Sequence, residues 1–181
     1  YKKDVYLYTG DAYYKAGQVE RAEQIYKAYL SQHTNTEIIS SLMSSLLDQQ
    51  KYDEMNQYLS SVSDDNSLSY LKGVAAMGLK KYDEAETHFQ KVLANGDKGL
   101  STKVYLNRVR NFFLAERYNE AIQAGEQYLS RINPDKEKAI YSEMLDKIGL
   151  SYFRVGKYEQ ARSYYSKIAS MKGYEVYGKF Q

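Results

Sequence analysis

The side chains best suited to chemistry in this 181-residue chain are two histidines, some paired acids, a serine run and one basic-aromatic stretch. His33 and His88 stand far apart, the first in a polar loop and the second on a charged helical face. The chain has no cysteine and no HExxH pattern, so neither histidine belongs to a recognisable zinc site. Asp53-Glu54 and Asp83-Glu84 resemble acid pairs for proton transfer, which would need convergent groups at fixed geometry. Both pairs recur inside the same word, "KYDE", at the start of a helical pattern. There negative charge complements the positive end of the helix dipole. The serines of "SSLMSS", residues 40–45, have no nearby histidine to activate them. "GDKG" and "AGQ" lack the GxxxxGK[ST] frame of a phosphate loop.

Lys103, Arg108 and Arg110 interleave with Tyr105 and Phe112, a mixture that single-stranded nucleic acids can use. Against that stands a balance of 25 basic and 23 acidic residues, net charge +2, mixed along the chain. No broad basic footprint results, and Tyr105 and Phe112 are better read as core. The expectation is therefore no enzyme activity, no metal, no cofactor and no nucleic-acid partner.

What positions these residues is a repeat. "GQVERAEQIYKAYL" from Gly17, "QKYDEMNQYL" from Gln50, "KKYDEAETHFQKVL" from Lys80, "ERYNEAIQAGEQYL" from Glu116 and "GKYEQARSYYSKI" from Gly156 are variants of one helix opening. Aligned on Val19, Tyr52, Tyr82, Tyr118 and Tyr158, the successive spacings are 33, 30, 36 and 40 residues. Such a period marks a recurring supersecondary unit. Each unit reads as two helices. Tyr6, Thr9, Gly10 and Tyr13 fall at i, i+3, i+4 and i+7 in one, as do Ala22, Ile25, Tyr26 and Tyr29 in the next. The expected helix pairs are 2–15 with 18–31, 36–48 with 51–62, 66–79 with 81–94, 100–115 with 117–131, and 136–154 with 157–170.

Local signals mark the ends. Thr34-Asn35-Thr36-Glu37 fits a capping box with Thr34 as the cap. Pro134 suits a helix start, "ANGDKG" at 94–99 is a break, and Gly17 and Gly156 suit the reversal between paired helices. At 43% hydrophobic and 27% charged the chain fits an ordered, water-soluble protein, and no run of 18 apolar residues offers a membrane span. A single proline and 11 glycines leave little room for linkers. The 21 tyrosines, against 5 phenylalanines and no tryptophan, suit thin layers with much half-buried surface, where a ring packs and its hydroxyl stays wet.

The pattern resembles the tetratricopeptide repeat, a helix–turn–helix unit of about 34 residues. The family's small residue in the first helix is matched by Gly10, Gly73 and Gly149, and the aromatic one turn later by Tyr13, Phe112 and Tyr152. Its small residue in the second helix is matched by Ala22, Ala85, Ala121 and Ala161, and the large aromatic that follows by Tyr26, Phe89 and Tyr165. Departures gather in the second repeat, which has Met43 and Met55 at the small positions; the fourth has Val109 and Gly125 where a small and an aromatic residue are usual.

The resemblance implies an all-α solenoid, a right-handed superhelix of stacked antiparallel helix pairs. The array is expected as one domain over residues 1–170, in repeats at 1–33, 34–64, 65–97, 98–133 and 134–170. Residues 171–181 are either a small plug over the last repeat or the start of a sixth. In this family the first helices line a concave face that holds a peptide or protein partner. Carried over, that face would comprise Tyr8, Asp11, Tyr14, Ser41, Ser44, Leu47, Tyr70, Leu71, Val74, Met77, Lys103, Asn107, Arg110, Phe113, Lys147, Leu150 and Arg154. Its cations lie late, so a partner with an apolar anchor and an acidic segment would complement it. One branch of the family clamps the terminal carboxylate of heat-shock chaperones. Here Leu7, Asp11, Ser40 and Ser44 occupy the early clamp places, so no such clamp is expected.

The alternatives are self-association through terminal repeats, or a regulatory region of a larger chain. The start at Tyr1 rather than Met implies a longer parent chain. The tyrosine- and serine-rich, cysteine-free character resembles bacterial repeat proteins, some lipid-anchored outside the cytoplasm, and leaves the compartment open.

Overall fold

A computed structural model describes residues 2–62, 66–96 and 98–171. They form ten α-helices: α1 (Lys2–Lys15), α2 (Val19–Leu30), α3 (Thr36–Asp48), α4 (Tyr52–Ser61), α5 (Asn66–Gly78), α6 (Tyr82–Ala94), α7 (Lys98–Leu114), α8 (Tyr118–Leu129), α9 (Lys138–Arg154) and α10 (Tyr158–Ser170). Every expected helix is present, with ends within two residues of those read from the pattern. Two compact units emerge, Tyr1–Lys91 and Val92–Gln181. In the first, α1 packs on α2 and α3, and α3 on α4 and α5; in the second, α7, α8 and α9 pack on one another and α10 closes on α9.

One turn is built five times. Gly17, Gln50, Lys80, Glu116 and Gly156, each just past a first helix, all have left-handed backbone, with φ of 75, 56, 60, 59 and 79°. At each, the N–H of that residue and of the next reach back to carbonyls at the helix end. Examples are Gly17 N to Tyr14 O at 2.9 Å with Gln18 N to Tyr13 O at 2.9 Å, and Lys80 N to Met77 O at 3.0 Å with Lys81 N to Ala76 O at 2.9 Å. This paired return satisfies carbonyls that the helix leaves orphaned. Only two of the five carry the glycine that the geometry favours, so the motif was half hidden in the sequence.

Close packing explains the small residues. A Cβ on Gly10 would stand 2.3 Å from Cε1 of Tyr26, and one on Gly73 would stand 2.5 Å from Cε1 of Phe89. In each pair the second helix's aromatic ring lies directly on the first helix's backbone. Ala22, Ala85 and Ala121 are wholly buried and Ala161 is nearly so. Between repeats, Tyr52 of α4 covers Gly78 of α5, where a Cβ would meet its ring at 2.2 Å. The first unit's core gathers Leu7, Tyr26, Ile38, Ile39, Leu42, Met43, Leu46, Met55 and Leu59; the second's gathers Leu106, Val109, Phe112, Tyr128, Met144 and Ile148.

Two end signals are corrected. Asn35, not Thr34, caps α3, its side chain accepting from Ile38 N at 3.0 Å. Glu37 is drawn away to Lys3 of α1 at 2.6 Å. Pro134 begins a turn rather than a helix. Asn133 Oδ1 accepts from Asp135 N and Lys136 N at 3.0 and 3.1 Å, and α9 starts only at Lys138. "ANGDKG" is a shorter break than expected, because α7 begins at Lys98. The plug-or-sixth-repeat question for 171–181 falls almost wholly outside the described residues.

Candidate protein-interaction surface

On the first helices of the first unit, polar contacts fasten one helix to the next. Tyr26 donates to Asp11 Oδ1 at 2.7 Å, and Ser41 Oγ approaches the same oxygen at 3.5 Å, joining α2, α1 and α3. Tyr14 donates to Asp48 Oδ2 at 2.5 Å. That bond to a carboxylate, with some burial, pushes the Tyr14 phenol up to about 12. Tyr8 stands clear at 68% exposed. Ser44 is half-buried and donates to the Ser40 carbonyl at 3.0 Å, while Leu47 and Leu71 are half-buried against the core. Tyr70 is half-buried beside Phe89, with centroids 6.4 Å apart, and Met77 is half-buried at the end of α5.

In the second unit Arg110 grips Glu143 with both arms, Nε to Oε1 at 2.6 Å and Nη2 to Oε2 at 2.5 Å, tying α7 to α9. Lys147 lies 5.5 Å over the Phe113 ring and 3.2 Å from Asp146. Leu150 is half-buried. Lys103 and Arg154 are exposed, and neither has an ionic partner among the described residues.

Two expected surface residues are not on the surface. Val74 is 5% exposed and Asn107 4% exposed. Helical periodicity turns Val74 between Gly73 and Ala75, into the tight side of the pair. Asn107 is held inside as an acceptor for Arg110 Nη1 at 2.8 Å. The basic-aromatic stretch also resolves into packing. Phe112 and Tyr128 are buried, and Tyr128 stacks on Tyr105 with centroids 3.9 Å apart. Arg108 covers Phe112 and Tyr128 at 5.9 and 5.4 Å and bonds the Tyr128 hydroxyl. Those ring faces are occupied by protein.

Periodicity missed three features. Glu23 of α2 is nearly buried, yet accepts from Lys27 at 2.6 Å, Lys51 at 2.9 Å and Gln49 at 2.8 Å. Burial alone would raise its pKa; the three donors outweigh it and bring the carboxyl down to about 2. Glu126 of α8 accepts from both Tyr152 and Tyr164, at 2.7 and 2.8 Å, fastening α9 and α10 to it. Leu114, Phe153 and Tyr158 stay open at 51%, 55% and 62% exposed. The only sequence trace of the last feature is an aromatic recurring five residues apart across a turn, as in Phe113 and Tyr118.

Paired antiparallel helices, a common left-handed turn and no strand among the described residues define an all-α helical repeat protein. Profiles of the tetratricopeptide repeat match residues 4–36, 70–137 and 142–173. The chain belongs to the tetratricopeptide repeat family. The interval the profiles leave between 36 and 70 is the repeat that carries Met43 and Met55 in place of small residues. No curated protein sequence matches the chain. Among solved structures, a crystal structure of MamA protein is 18% identical, covering 99% of this chain and 97% of that one, with a TM-score of 0.69. MamA from residue 41 onward of Desulfovibrio magneticus RS-1 is 16% identical, covering 99% and 98%, with a TM-score of 0.73. At these identities the likeness is one of fold. Fold and family together make this chain a protein-interaction scaffold in general terms.

Proposed function

We propose that the chain is a non-enzymatic scaffold that holds a segment of another protein on its first-helix faces, the concave side of a tetratricopeptide array. The observation that carries this is a division of labour on those helices. Asp11, Tyr14 and Arg110 are spent on Tyr26, Asp48 and Glu143, which fixes the helices in place. Tyr8 in the first unit, and Lys103 and Arg154 in the second, project into solvent from helices so fixed. A surface already rigid in its binding form loses little entropy on association. Ser44, Leu47, Tyr70 and Met77 would form a half-buried floor in the first unit, and Phe113 and Lys147 one in the second.

Exposed Val5 (51%) beside Tyr8 on α1 favours a second reading, self-association. Photo-cross-linking groups placed at Tyr8 and Lys103, with Glu84 and Gln123 on second helices as controls, separate the readings in the native cell. Adducts with another protein from the first pair alone support the proposal. Adducts with a second copy favour self-association, and equal labelling at all four positions counts against a first-helix site.

A further inference from the structure

Phe153 and Tyr158 face each other across the turn between α9 and α10, edge to face, with centroids 5.3 Å apart. The same corner occurs one repeat earlier, where Phe113 and Tyr118 meet at 5.5 Å. There both rings are half-buried, and Lys147 of the following first helix lies over Phe113. That corner is thus partly covered by a side chain of the following repeat. At Phe153 and Tyr158 the rings remain more than half exposed.

The surroundings select what would cover it. Arg154 and Lys157, on either side of Gly156, are exposed and have no ionic partner among the described residues; Lys157 only approaches the Tyr152 ring, at 6.0 Å. The nearby acid Glu159 is taken by Arg162 at 2.9 Å. Two open aromatic faces therefore lie beside two uncompensated cations. Residues 172–181 contain Lys172 and Lys179 against a single acid, Glu175, so the chain's own tail offers Arg154 and Lys157 little compensating charge.

Resting on the scaffold reading above, we propose that this corner docks a partner protein's segment in which a bulky apolar side chain is flanked by carboxylates. The apolar group lies on Phe153 and Tyr158, and the carboxylates reach Arg154 and Lys157. Complementary charge supplies selection and on-rate, and the apolar group supplies residence time.

The test uses the intact chain and three fluorescent peptides: Glu-Asp-Phe-Glu-Asp, the same with glycine for phenylalanine, and Lys-Lys-Phe-Lys-Lys. Anisotropy should show the acidic phenylalanine peptide binding best, with weaker binding as salt rises. Arg154→Glu with Lys157→Glu should weaken it about tenfold or more, and Phe153→Ser should do likewise. These positions are exposed, and helical circular dichroism confirms that each variant is folded. Equal binding of the basic peptide, no binding of the acidic one, or indifference to the charge reversal would overturn the proposal. Binding that appears only after Tyr177→Ser with Phe180→Ser would assign the corner to the tail instead. Dimerisation abolished by the charge reversal would assign it to a second copy. If cross-linking from Lys103 still captures a partner while these peptides fail, the corner falls and the scaffold reading stands.

Discussion

Gly125 of α8 stands where α6 has Phe89, and the group that presses on it is Ile148 of α9 rather than Val109 of α7. Val109 Cγ2 lies 3.6 Å from where a Gly125 Cβ would stand, and Ile148 Cγ1 of the next repeat lies only 2.5 Å from it. The bulk that fills this place comes from the following repeat. Gly125→Phe, which restores the usual aromatic, should destabilise the chain by about 2 kcal/mol or more through overpacking. Adding Val109→Gly should not rescue it, because Ile148 still fills the space. Thermal unfolding of the single and double variants decides this, and a double variant as stable as wild type would show that Val109, not Ile148, sets the space.

The left-handed turns give the opposite sign. Lys80 and Glu116 hold φ of 60 and 59° without being glycine. Relief of left-handed strain, less the extra freedom that glycine gains when unfolded, should make Lys80→Gly more stable by about 0.5–1 kcal/mol. Gly17→Lys should lose about as much. A neutral Lys80→Gly would mean that the strain relieved only matches glycine's unfolded-state cost.

Glu23 should govern acid stability. Its folded pKa, about 2, lies below the ordinary 4.5. A depressed acid contributes its stability in full above the unfolded value and loses it as the pH falls through the window from 4.5 toward 2. Glu23→Gln should cost about 1–3 kcal/mol at neutral pH, through lost charge-assisted bonds to Lys27 and Lys51. It should also flatten urea-melt stability across that acid window. Parallel pH profiles for the two proteins would assign the stabilisation elsewhere.

The Arg110–Glu143 fork is about a third exposed on each side, which limits its strength. Arg110→Ala should cost about 0.5–1 kcal/mol, and Arg110→Glu with Glu143→Arg should recover most of the loss from either reversal alone. A double-mutant cycle with no coupling would make the contact incidental.

The helices were legible because their signals are local. Tyr6, Gly10 and Tyr13 recur on one helical face whatever lies beside it, Gly10 buried and both tyrosines half-buried, and five copies of one helix opening make coincidence untenable. Even the departures were legible, since Met43 and Met55 lie in the stretch that the repeat profiles leave unmatched. The surface was less so. Spacing puts Val74, Asn107 and Lys103 on one list, yet two are buried and one is open. Periodicity gives a direction around a helix but not the depth at which a neighbour meets it.

The sequence by itself determined the repeat, the helix ends to within two residues and the family, since all three rest on residues close in the chain. Only the tertiary structure decided that Arg110 is spent on Glu143, that Glu23 collects three donors, and that Phe153 and Tyr158 stay uncovered. Each of these depends on partners in other helices. The packing of helix on helix, not the pattern within any one of them, sets which side chains meet and which stay exposed.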